Sequence, residues 1–89
     1  MTISLAFSIQ SVFAQEQDKE QSKAYMEQAQ LMIDAGSIAL EEIRDVMVQA
    51  AEFDTTNIEA NFEAGHLFLE TIGQDLAVKY FLRVRRQKT

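Results

Sequence analysis

The residues best equipped for chemistry in this 89-residue chain are few. His66 is the one histidine, and Glu63 stands three positions before it. Glu-x-x-His is the spacing with which a helix supplies ligands to a di-iron centre, but such a centre takes a second copy of the motif and further inward carboxylates. With no second histidine in the chain, His66 is expected to be an ordinary, partly exposed residue, and no metal is expected. Serines occur in the N-terminal stretch, at Ser22 and at Ser37, none with a histidine placed to make it a nucleophile. No glycine-rich loop follows a strand-like segment, so nothing would cradle a nucleotide phosphate. Glu41 and Glu42 are adjacent and would lie about 100° apart around a helix, a solvated face rather than an acid–base pair. Met26, Met32 and Met47 read as core fillers, a residue type that also makes adaptable binding surfaces. The expectation is a non-enzyme with no cofactor.

Composition narrows the class further. The formal charge is −6, against the basic face that a nucleic-acid binder needs. Charge is unevenly spread: Lys79, Arg83, Arg85, Arg86 and Lys88 place five of the eight basic residues in the last eleven positions. That cluster reads as a helix C-terminus complementing its own dipole, with a contact to an acidic partner or lipid surface as the other reading. The chain has no cysteine, no proline and three glycines, so long helices without disulfides are expected. A chain of this size hides only about 60% of the surface that its unfolded form exposes, which makes its stability marginal.

Met1–Ala14 carries no charged side chain, and Ile3, Leu5, Phe7, Ile9, Val12 and Phe13 make it apolar. It is too short to span a bilayer as a helix. Ser11-Val12-Phe13-Ala14 offers small or aliphatic residues at the two positions a signal peptidase inspects, and Gln15 onward is abruptly polar. The segment therefore reads as a secretory signal cut after Ala14, although the basic start of such a signal is missing. An upstream start would supply it. The other reading is an amphipathic N-terminal helix with Leu5, Ile9 and Val12 over a groove. With the signal removed, no integral membrane span is expected, and the location would be periplasmic or outer-membrane-associated; without export it would be cytoplasmic.

From Gln15 apolar residues recur at helical spacing. A first helix is expected from about Asp18 to Ala35, burying Tyr25, Met26, Ala29, Met32 and Ile33. Gly36-Ser37 would end it and cap the next. The second, about Ile38 to Phe53, carries Ala39, Ile43, Val46, Ala50 and Phe53 on one stripe, widened by Leu40 and Met47. Asp54-Thr55-Thr56-Asn57 reads as a turn, with Thr56 and Glu59 spaced as a capping box. A third helix, Ile58 to Thr71, shows the stripe Ile58, Phe62, Gly65, Leu69, Ile72. Gly73 ends it. A fourth, Gln74 to about Gln87, faces Leu76, Ala77, Tyr80, Phe81 and Val84 inward. Turns this short force antiparallel neighbours, so the expected fold class is all-α, either a bundle or stacked helical hairpins. Glycine inside a helix costs about 1 kcal/mol relative to alanine. Gly65 opposite Ala77 therefore signals close packing, with Phe68 and Phe81 filling the flanks.

Ala64-Gly65, Phe68, Ala77, Phe81 and Val84 together resemble the tetratricopeptide (TPR) signature, in which a Leu-Gly pair precedes an aromatic residue by three, with an alanine and an aromatic four apart on the second helix. Asn61 stands where a tryptophan is usual, Ala64 where leucine is, and Thr55 where proline is. The resemblance implies about two TPR-like repeats forming an α-solenoid fragment across 15–89, with hairpin 1 at about 18–53 and hairpin 2 at about 58–87. The stretch Asn57–Gly65, with Tyr80–Val84, is also similar to bacterial envelope proteins in which TPR repeats follow a signal peptide and precede a β-propeller and an OmpA-like domain. That likeness covers their N-terminal portion alone and implies an envelope scaffold.

A concave face displaying side chains of each repeat's first helix follows from such a stack. Asn61, His66 and Glu70, off the expected buried stripe, are the candidate protein-binding residues, with Asn61 aimed into the groove. The leading expectation is a protein–protein interaction module for a protein partner. The alternative is a self-associating structural bundle, a possible homo-oligomer, or a truncated piece of a larger TPR protein. Tyr80, Leu82 and Val84 on the last helix would be left for a second copy or a further domain to cover.

Overall fold

The computed structural model describes the backbone of residues 2–88 and the side chains of residues 14–88. Four helices follow one another: α1 (Thr2–Asp34), α2 (Leu40–Phe53), α3 (Ile58–Thr71) and α4 (Gln74–Lys88). Each packs on its neighbour in sequence, α1 on α2, α2 on α3 and α3 on α4. The result is an all-α stack of antiparallel helical pairs, elongated to 53 × 29 × 18 Å.

The first helix begins at Thr2 rather than Asp18 and passes the Ala14–Gln15 junction without a break. No glycine or proline precedes Gly36, so no backbone signal stops it earlier. Of the segment read as a signal, Met1–Ala14, residues 1–13 lie outside the described side chains. Ser22 is the first buried residue among those described. At the other end the Gly36 N–H donates to the Ile33 carbonyl and the Ser37 N–H to the Met32 carbonyl, both at 3.0 Å. This pairing needs a left-handed residue, and Gly36 supplies it at φ 79°.

Caps differ from expectation at both later joints. α2 starts at Leu40, and its cap position is Ala39, which offers no side-chain acceptor. Ser37 instead accepts from the Ala39 N–H at 3.3 Å, inside the turn. At the next joint Asp54, not Thr56, organises the chain: its Oδ1 accepts from the Thr56 N–H and hydroxyl at 3.0 and 2.6 Å. That leaves Asn57 to cap α3, with Oδ1 accepting from the Ala60 N–H at 3.1 Å. An asparagine carbonyl one residue nearer the helix outcompetes a threonine already engaged by Asp54.

The core gathers Ala29, Ile43, Met47, Ala50, Ala51, Ala60, Ala64, Phe68, Ala77 and Tyr80. Helices α1, α2 and α4 follow expectation for most of these positions. Ile33, Leu40, Phe53 and Leu76 are exposed, whereas Tyr80 is buried, as its place on the inward face of the fourth helix predicts, and is not left for a second copy to cover. The third helix departs most. Its buried face is Ala60, Asn61, Ala64, Gly65 and Phe68, about a quarter-turn from the expected stripe. Ile58, Phe62, Leu69 and Ile72 are all exposed, Ile72 to 60%. The reason is position: α3 lies between α2 and α4, and small side chains let both neighbours approach. Gly65 is held by its contact with Phe81, where an added Cβ would stand 2.6 Å from the ring's Cε1.

Candidate functional site

The three candidate residues do not converge. Asn61 is fully buried instead of facing a groove. Its Nδ2 donates to the carbonyls of Asn57 (2.8 Å) and Thr55 (3.3 Å), and its Oδ1 accepts from Arg83 Nη1 at 3.2 Å. With its bonding capacity spent inside the chain, it joins the α3 entry to α4. His66 is exposed and lies against Phe62 and Phe81, ring centroids 4.8 and 5.9 Å away. Glu70 is exposed and borders a shallow hollow with Leu40, Glu41 and Glu42 at the start of α2.

Two polar clusters brace the stack, and the sequence reading assigned neither. In the first, Ser22 Oγ donates to the Ala50 carbonyl at 2.6 Å and accepts from Asn57 Nδ2 at 2.9 Å. One asparagine thus caps α3 and ties it to α1 and α2. In the second, Arg83 Nη1 reaches Glu52 at 2.9 Å, with Lys79 on the same carboxylate at 3.3 Å. Arg83 also lies over the Tyr80 ring at 5.2 Å. Burial pushes the Glu52 carboxyl up, but the hydrogen bonds and charges of Arg83 and Lys79 outweigh it and hold it below the usual carboxylate range. Burial, followed by the Glu52 charge, pushes the Tyr80 hydroxyl up. Phe68 stacks on Tyr80 at 5.3 Å, and Arg44 lies over Phe68 at 5.4 Å. These are structural arrangements.

A groove runs between α1 and α3. Two adjoining hollows of about 410 and 290 Å³ share Met26, Glu27 and Glu59 as lining. Lys19, Lys23 and Asp54 border one end. Gln30, Ile33, Met47 and Glu63 border the other. Lys19, Lys23, Met26, Gln30 and Ile33 recur at helical spacing, which puts them on one face of α1. Glu59 and Glu63, four apart, do the same on α3. The groove therefore combines flexible methionines with carboxylates and has a lysine pair at one end. Such a surface can seat an apolar side chain and a cation together.

Among the described residues no group of three histidines, cysteines or carboxylates converges as a metal site. No described helix is long and apolar enough to cross a membrane. Compared with protein-family models, curated proteins and solved structures, the chain shows no match.

Proposed function

We propose that this chain is a protein-interaction module whose α1–α3 groove takes a segment of a partner protein, an apolar side chain lying over Met26 and Met47 and a basic one beside Glu59 and Glu63. The groove carries this reading: it is formed by the first helix of each pair, which is where stacked helical hairpins display ligand-binding side chains. Its methionines suit more than one apolar side chain. The TPR-like spacing of Gly65, Phe68, Ala77 and Phe81 favours a scaffold role of the same kind. Asn61 drops out of the binding set because it is buried, and the groove residues replace it.

Export to the cell envelope belongs to the same reading. It is supported by the uncharged Met1–Ala14 segment, and a cut after Ala14 leaves Ser22 and every later buried residue in place.

Fluorescence anisotropy with three labelled synthetic peptides tests the groove: one of alternating lysine and leucine, one of alternating glutamate and leucine, and one uncharged and polar. The lysine–leucine peptide is expected to bind best. The double reversal E59K/E63K should weaken it by about tenfold or more and shift preference to the glutamate–leucine peptide, with the circular dichroism spectrum unchanged. Equal affinity for all three peptides, or no effect of the reversal, would sink the assignment.

A further inference from the structure

The far side of α4 carries a pattern that the groove does not use. Asp75, Val78, Leu82 and Arg85 recur at i, i+3, i+7 and i+10, which lines them along one seam of the helix. Val78 is 50% exposed and Leu82 41%, and the two charges that bracket them are exposed as well. Among the described residues neither Asp75 nor Arg85 takes part in an ion pair. α4 packs on α3 and reaches the end of α2 through Lys79 and Arg83, on other faces of the helix, so among the described residues no partner covers this seam. At the α3–α4 junction Phe62, 44% exposed, and Phe81 meet edge to face with ring centroids 6.1 Å apart.

The order of the seam is acid, apolar, apolar, base. Turned end over end, it complements itself. We infer that two copies of this chain pair antiparallel along α4, with Asp75 against the partner's Arg85, Val78 against the partner's Leu82, and each contact repeated by a twofold axis near Tyr80. Charge selects this occupant and this direction. A parallel pair would set Asp75 against the partner's Asp75 and Arg85 against the partner's Arg85, and like charges in register repel. A self-complementary patch about a twofold is the geometry of the commonest homodimers. One helix pair makes a small interface, below about 1,200 Å² in total, so the dimer should dissociate on dilution. The groove contains no α4 residue, so the two surfaces stand or fall separately.

Sedimentation equilibrium of the full chain at low salt, over a wide range of loading concentrations, is the test. The unaltered chain should show a reversible monomer–dimer equilibrium. D75R alone and R85D alone should each weaken dimerisation by about tenfold or more. An equimolar mixture of the two variants should recover it, because the mixed pair restores both opposite-charge contacts. A head-to-tail stack using α1 as the partner surface would not recover on mixing. A monomer at every concentration, or reversals without effect, overturns the inference. The chain has no cysteine, which permits a check that leaves both charges in place: V78C mixed with L82C should oxidise to the mixed disulfide in preference to either like pair. A statistical mixture of disulfides counts against the antiparallel register. D75R should keep the groove's peptide affinity, so loss of dimer and loss of peptide binding are read separately.

Discussion

Asn61 brings two amide hydrogens and a carbonyl into a site without solvent, and all three functions are met by Thr55, Asn57 and Arg83. Removing the side chain takes one donor from the Thr55 carbonyl and one acceptor from Arg83, which keeps Glu52, and leaves a void in a fully buried position. A buried polar group left without its partner costs about 1–3 kcal/mol. Asn61→Ala is therefore expected to destabilise the fold by about 2 kcal/mol, read as a lower urea midpoint with unchanged slope. Groove affinity measured where the variant is still folded should stay as it was. Weakened peptide binding at full stability would return Asn61 to the recognition surface.

At the scale of the elements, the α3–α4 pair is decided by one contact. Alanine is the better helix former by about 1 kcal/mol, so Gly65→Ala would ordinarily stabilise α3. Here the new Cβ would meet Phe81 at 2.6–2.9 Å, and the ring is itself held against Phe62 and His66. Overpacking of this kind costs about 1–3 kcal/mol, which outweighs the propensity gain. Gly65→Ala should lower stability by about 1 kcal/mol in the native background and raise it by a similar amount when Phe81→Ala is already present. The sign change in this double-mutant cycle is the measurement; the same sign in both backgrounds would mean that Phe81 does not set the glycine.

Across the whole molecule, the Glu52 cluster joins the end of α2 to α4 and, through Arg83, to Asn61 on α3. Because the folded state holds the Glu52 carboxyl below its ordinary value, the unfolded chain takes up its proton first as pH falls. Its stabilisation is complete above the ordinary glutamate range and is lost as the pH drops through the lower folded-state value. The carboxylate is 41% exposed, so solvent screening keeps the effect modest. E52Q should be less stable than the native chain at neutral pH, and the gap should close as the pH falls through the lowered folded-state value, below which both carry a neutral side chain. A gap that persists in acid would show that Glu52 acts through packing instead of charge.

Helix number and the joints between helices were written in the chain, although the start of α1 at Thr2 was not. Gly36, the Asp54–Asn57 turn and Gly73 punctuate uninterrupted helix formers, and α3 and α4 lie where spacing put them, to within a residue. So was Gly65 as a packing point, because an interior glycine is too costly to be idle. Which face each helix buries was legible where a helix has one packing neighbour, as with Ala29 and Ala77. It was not legible for α3, because apolar periodicity weighs side chains by size, whereas a helix between two others is buried through its small residues. Ala60, Ala64 and Asn61 gave no stripe, and Phe62 and Ile72 gave a misleading one. The Asn57–Ser22 and Asn61–Arg83 bonds span 35 and 22 positions. Only tertiary packing brings such polar groups together, so the groove, the buried role of Asn61 and the open seam on α4 were decided by the fold.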